Sequence, residues 1–301
     1  MKAELQVLGV TRPNFLFLPP ICVALGISAG LADGGTMNWS NLIPVIAGAV
    51  AAHAAVNALN EYTDFRSGLD LNTTRTPFSG GSGTLVQHPH LINHALWVGV
   101  TTTLITVICG LWLLTSVGPA LLPFGILGLL LVLLYSGPIT RNRWLSLLAP
   151  GLGFGPAMVG GSAIALTGAA NNTTAVASLL VFFLINNLLL LNQFPDRGPD
   201  AAVGRRNWTI SSPAVAGVLY NLFAIAGYTL VIAAALLGAI PYAGLLAILT
   251  LPLALMAARS ALAVKMGREV PMSALGHNVV VSLLTPALMA LGIGLGISNW
   301  L

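Results

Sequence analysis

An all-α integral membrane protein with nine transmembrane helices is the fold this sequence predicts, and three observations carry the prediction. Hydrophobic residues fill 56% of the 301 positions and charged residues only 7%, with a mean hydropathy of +0.89, which sets the chain apart from soluble domains. Apolar runs long enough to cross roughly 30 Å of hydrocarbon recur nine times along it. All 12 Lys and Arg residues then fall on one side of a nine-span count, as the positive-inside rule requires.

The runs lie near 14–32, 42–60, 92–114, 119–135, 147–167, 174–194, 213–237, 240–257 and 278–297. Lys2 and Arg12 precede the first, which continues without a convincing cleavage site and reads as a retained helix. A turn at Ala239–Pro241 separates the seventh run from the eighth. The segments between alternate spans hold Arg66 and Arg75, then Arg141 and Arg143, then Arg197, Arg205 and Arg206, and finally Arg259, Lys265 and Arg268. This parity places the N-terminus in the cytoplasm and leaves Asp33 as the one acid on the outer side. The net charge of +4 is therefore a sidedness signal and calls for no nucleic-acid partner. Cys22 and Cys109 sit in apolar stretches as small packing residues. One transmembrane domain over 1–301 is expected, and nothing in the pattern specifies an oligomeric state.

Two short segments, "NALNEYTDFRSGLD" at 57–70 and "NQFPDRGPD" at 192–200, hold five of the eight acidic residues. Ionisable groups this concentrated in a membrane chain mark a functional site. Asn57, Asn60, Glu61 and Asp64 share one helical face at i, i+3, i+4 and i+7, and Asp70 follows a turn at Gly68. Asn192, Asp196 and Asp200 would repeat every fourth residue if the helix persisted, although Pro195 and Pro199 each remove a backbone donor there. Asn60 with Asp64 and Asn192 with Asp196 form a weak pseudo-repeat, two half-sites facing each other. Such carboxylates suit Mg²⁺, which takes one or two protein carboxylates and shares phosphate oxygens with a substrate. Arg66, Arg75, Arg141, Arg205 and Arg206 supply forked donors for phosphate, although sidedness alone would also put arginines here. Together they point to a diphosphate.

These residues resemble the UbiA superfamily of intramembrane prenyltransferases. The family's Asn-Asp-x-x-Asp signature reads here as Asn60-Glu61-x-x-Asp64 with Asp70 beyond it, and its Asp-x-x-x-Asp signature matches Asp196 and Asp200 within "NQFPDRGPDAAVGRRN". The blocks "RTPFSGGSGTL" at 75–85 and "YSGPI" at 135–139 are also similar, and Asn57 and Gly68 look most like the dihydroxynaphthoate prenyltransferases of menaquinone synthesis. Glu61 departs from the usual Asp, Pro199 is an added proline, and no acid follows "YSGP".

The resemblance implies a helical bundle around a central lipid-open cavity in a bacterial or archaeal cytoplasmic membrane, with the site facing the cytoplasm. It implies Mg²⁺ held by Asp64, Asp70, Asp196 and Asp200 with Glu61 beside them, a prenyl diphosphate on Asn57, Asn192 and the arginines, and an aromatic acceptor. Asn60, Asp64 and Asp196 would act on the reacting headgroup, and Tyr62 and Tyr135 would face the allylic cation. A membrane terpene cyclase on the same scaffold is the nearest alternative, and a secondary transporter a more distant one. His53 reads as a neutral histidine hydrogen-bonded to a neighbouring helix, or less simply as a proton acceptor. Asn186 and Asn187 read as interhelical hydrogen-bonding groups, the glycines of "GLGFGPAMVGG" as close-packing positions, and His88, His90 and His94 lack zinc-site spacing.

Overall fold

The computed structural model describes residues 6–298, so Lys2, one of the charges used to orient the chain, lies outside the described residues. Its long helices are α1 Leu18–Ala32, α2 Leu42–Arg66, α3 Ile92–Val117, α4 Leu122–Leu134, α5 Arg143–Thr167, α6 Asn172–Ala202, α7 Pro213–Leu236, α8 Tyr242–Met266 and α9 Met272–Ser298. No strand occurs among the described residues. With their flanking turns, α2 to α9 are each long and apolar enough to cross a membrane. α1 qualifies only together with Val7–Phe15, which meets it at a 44° bend. The first expected span is thus a broken one. Its 15 residues rise about 22 Å, short of the hydrocarbon thickness. Arg12 takes a left-handed φ of 53° between two 3-10 turns, and Pro13 opens the second of them.

α2 and α6 overrun their apolar stretches, and the acids on the added turns find partners, Asp64 and Asp200 on Arg205. α2 continues to Arg66 and α6 to Ala202. Pro195 and Pro199 do not end α6; the following loop leans on it, with Thr209 Oγ1 donating to Gln193 O at 3.2 Å. α6 is also the most enclosed span, 72% of its apolar window being buried against 11% for α3 and α4, so it forms the axis of the bundle while α3 and α4 face outward. α5 packs on it through glycine. A Cβ on Gly151 would lie 2.4 Å from Phe182 O, and one on Gly155 2.3 Å from Ser178 O, so any side chain there would push the two helices apart. Asn186 Oδ1 accepts from Gly151 N at 2.7 Å, and Asn187 Nδ2 donates to Tyr220 O at 2.9 Å, the interhelical roles expected of this pair. Where Pro156 interrupts the α-helical ladder, α5 widens into a π-helical stretch, Gly153–Gly160.

Asp33 ties the other end of the bundle. Its carboxylate, just past α1, accepts from Asn171 N at 2.7 Å and from Thr173 N and Thr174 N at 2.9 Å, capping the first turn of α6 from another helix. Burial works to raise its pKa, but these hydrogen bonds outweigh it and hold the carboxyl below its ordinary value. A depressed acid contributes stability that is present above the unfolded pKa and lost as pH falls through the folded one. Asp33→Ala is expected to cost about 1–2 kcal/mol at neutral pH. The difference in melting temperature from wild type should shrink as the pH is taken below about 4; a difference that persists unchanged in acid would mean that the carboxylate charge is not what caps α6.

Candidate active site

One long cavity runs from the acidic end of α2 and α6 into the bundle, lined also by α1, α4 and α5. Its volume, about 250 Å³, far exceeds the ~10–15 Å³ that a single water needs. His53, Asn57, Asn60 and Asp64 line it from α2, and Asn192, Asp196 and Asp200 line it from α6. The deeper wall is apolar, with Leu131, Phe154, Met158, Ile185 and Leu188. Both π-helical stretches contribute a ring, Tyr135 from Tyr135–Ile139 and Phe154 from Gly153–Gly160. Such stretches recur at functional sites because they re-aim side chains out of the α-helical register.

The two acidic segments converge on one guanidinium. Arg205 donates to Asp200 Oδ1 at 3.0 Å, to Asp64 Oδ1 and, at the 3.4 Å margin, to Asn60 Oδ1. Burial opposes its charge, but Asp64 and Asp200 hold it above its ordinary pKa. Asn60 also donates to Asp64 Oδ2 at 2.6 Å and accepts from Ser136, so the first half-site is satisfied within the protein. The second is open. Asp196 Oδ2 receives Gly80 N at 3.2 Å, but Asp196 Oδ1 and Asn192 Oδ1 are buried with no partner. Asp70 stands on a short helix, Leu69–Asn72, that Gly68 starts with a left-handed φ of 77°. Burial first, then the charges of Glu61 and Asp64, push its carboxyl up to about 7.

Five carboxylates thus face two guanidiniums, Arg12 and Arg205, and a buried oxygen on each of two lining residues, Asn192 and Asp196, has no donor. That donor set suits a hard cation. No group of three His, Cys, Asp or Glu that could hold a metal ion is found among the described residues; Mg²⁺ takes one or two protein carboxylates and completes its shell with water and phosphate.

The structure brings Asn57, Asn60, Asp64, Asp70, Tyr135, Asn192, Asp196, Asp200 and Arg205 to this cavity and leaves the other expected residues outside its lining. Glu61 is fully enclosed, gripped by Arg12 at 2.8 Å and by Ser82 N and Oγ at 2.6 and 2.8 Å. It stands roughly 60° round the helix from Asp64 at 3.6 residues per turn, which turns it toward the N-terminal segment and the 79–83 loop. Tyr62 and Arg66 pair with each other at 3.1 Å on the outer side of α2. Arg75 is exposed beside Gly83, and Arg141 and Arg206 are exposed. His53 makes no hydrogen bond to a neighbouring helix; its ring meets Phe154 edge-on at 5.0 Å.

Four residues contribute beyond those the sequence pattern marks. Arg12 reaches the cavity, although its position before the first apolar run marked it only as a topological charge. Gly80 and Ser82 supply backbone donors to the acids, in a block whose glycines were the available signal. Asn207 holds Asp200 Oδ2 at 3.2 Å while capping the turn after α6.

Residues 17–274 match the UbiA prenyltransferase family. No curated protein sequence matches the chain significantly. The fold is shared with an apo UbiA homolog from Aeropyrum pernix K1, at a TM-score of 0.69 and 17% identity over 94% of this chain and 98% of that one. It is shared with a digeranylgeranylglyceryl phosphate synthase, at 0.64 and 12% over 99% and 100%. A UbiA homolog from Archaeoglobus fulgidus bound to DMAPP and Mg²⁺ also matches, at 0.61 and 14% over 96% and 99%.

Proposed function

Because this chain belongs to the UbiA prenyltransferase family, we propose that its cavity is the site of Mg²⁺-dependent transfer of a prenyl group from an isoprenoid diphosphate to an aromatic, quinone-precursor acceptor. The observation that carries the reading is the meeting of Asp64 from α2 and Asp200 from α6 on Arg205, at the polar mouth of an otherwise apolar cavity. The A. fulgidus homolog of the same fold was solved with a prenyl diphosphate and Mg²⁺, which supports the same ligands here.

Asp64, Asp70, Asp196 and Asp200, with Asn192 beside them, would hold Mg²⁺, which supplies Lewis-acid stabilisation of the departing diphosphate. Arg205 adds a forked donor to the charge that grows on that leaving group. The prenyl tail lies along the apolar wall, reached from the lipid, where water is excluded from the allylic cation. Tyr135 presents its ring to that cation. The acceptor enters with its electron-rich ring held against the prenyl carbon, so that positioning supplies much of the remaining rate. A dihydroxynaphthoate-type acceptor heads the candidates, on the pattern of the first acidic segment. The mouth faces the cytoplasm, on the strength of the basic loops around it.

Purified protein given prenyl diphosphates of several lengths, Mg²⁺ and a panel of hydroxyarenes should release diphosphate and form prenylated product, and chelation with EDTA should stop both. Inertness across all chain lengths and acceptors would overturn the proposal. A cyclised hydrocarbon released without any acceptor would replace it with a terpene cyclase.

A further inference from the structure

His53 is 9% exposed and lines the cavity, yet no hydrogen bond joins either of its ring nitrogens to another described residue, and Nδ1 is wholly buried without a partner. A neutral imidazole carries one donor and one acceptor, and buried polar groups in proteins are almost always paired. Its one ring contact is the edge-on approach to Phe154 at 5.0 Å, which fixes the plane of the imidazole without using a nitrogen. Phe154 itself is brought there by the π-helical stretch Gly153–Gly160.

We infer that His53 is the hydrogen-bonding partner of a hydroxyl on the acceptor substrate and sets which acceptors the cavity takes. The inference rests on the prenyl-transfer reading. It follows from where the polar groups of the two substrates can go. His53 stands below Asn57, Asn60 and Asp64 on the same face of α2, about 16 Å along the helix from Asp64. The diphosphate belongs at the acidic mouth. A prenyl tail is hydrocarbon and leaves an imidazole as unpaired as before. The polar group that can reach this depth and satisfy a neutral ring nitrogen therefore comes from the second substrate. A hydroxyl both donates and accepts, so it pairs with either tautomer, and being uncharged it adds no ion to an apolar wall. Phe154 offers that acceptor an aromatic edge beside the hydrogen bond.

The test compares naphthol with naphthalene, which keeps the rings and lacks the hydroxyl, as probes of the purified protein, by quenching of intrinsic tryptophan fluorescence. Prenyl-diphosphate and Mn²⁺ binding are measured separately on the same samples. Wild type should prefer the naphthol by about tenfold, the discrimination expected of one hydrogen bond. His53→Phe keeps a ring against Phe154 and removes both nitrogens, so it should erase that preference and raise the KM for hydroxylated acceptors, while the KM for prenyl diphosphate and Mn²⁺ binding stay at wild-type values. His53→Gln should restore part of the preference. An unchanged naphthol-to-naphthalene ratio in His53→Phe would overturn the inference. So would a rise in the prenyl-diphosphate KM with no change for the acceptor, which would put His53 on the path of the tail. If neither prenyl diphosphate nor Mn²⁺ binds to wild type, it is the prenyl-transfer reading that fails, a result separable from the first two.

Discussion

Asp196→Asn is expected to lower prenyl transfer by roughly a thousandfold, about 4 kcal/mol of transition-state stabilisation, while leaving a protein as stable as wild type. Asp196 has one oxygen on Gly80 N and the other buried without a partner. An asparagine carbonyl can keep the first bond, and no ion pair is lost. What disappears is the negative charge offered to a cation. Asp64→Asn should lose activity on the same scale but also lose stability, because Asp64 is paired with Arg205 and Asn60 and its neutralisation leaves the guanidinium half-answered. Turnover with Mg²⁺ and thermal unfolding without it separate the two cases. Wild-type rates in both variants would remove the acids from the chemistry, and equal losses of stability would remove the distinction between a closed and an open half-site.

Arg205→Gln carries the second large effect, and it acts twice. In the metal-free protein the guanidinium is the cation that lets Asp64 and Asp200 share a partly buried space. Removing one partner of such a pair leaves the others uncompensated, at a cost of about 3 kcal/mol. During turnover the loss of a forked donor at the diphosphate should lower kcat by about a hundredfold or more. Added Mg²⁺ should return much of the lost thermal stability, because a divalent cation meets the same carboxylates. Arg205→Lys should keep part of the stability and little of the rate, since a single ammonium cannot span two carboxylates and an amide oxygen as a planar fork does. A melting temperature that drops in the variant and does not respond to Mg²⁺ would mean that Arg205 is a structural strut with no relation to the cation.

The half-sites explain how far the acids could be read ahead of the coordinates. Asn60, Asp64, Asn192, Asp196 and Asp200 were legible because each lies on a helix, where a spacing of three or four residues fixes a shared face. The prolines of α6 obscured this without preventing it. Glu61 shows the limit of the same rule, since a face is broad enough to include a residue at its margin, and there the neighbouring segment chooses which way the side chain turns. Arg12 and Ser82 made that choice. The arginines were the least legible. Arg66, Arg75, Arg141, Arg205 and Arg206 all stand on loops or helix ends that the basic-loop pattern explains equally well, and only Arg205 among them reaches the cavity. His53 departs in the opposite direction: expected to be answered by a neighbouring helix, it has no such partner, because a helical face shows what a side chain points toward and not whether that space is filled.

Membrane class, the number of spans and the identity of the acids came from composition, run length and helical period, which are properties of contiguous chain and survive in one dimension. The bend before α1, the single guanidinium between two distant carboxylates and the unanswered imidazole in an apolar wall came from packing. Each depends on which remote segments fill the space beside a residue, and that is set by the balance of volume, burial and charge over the whole bundle.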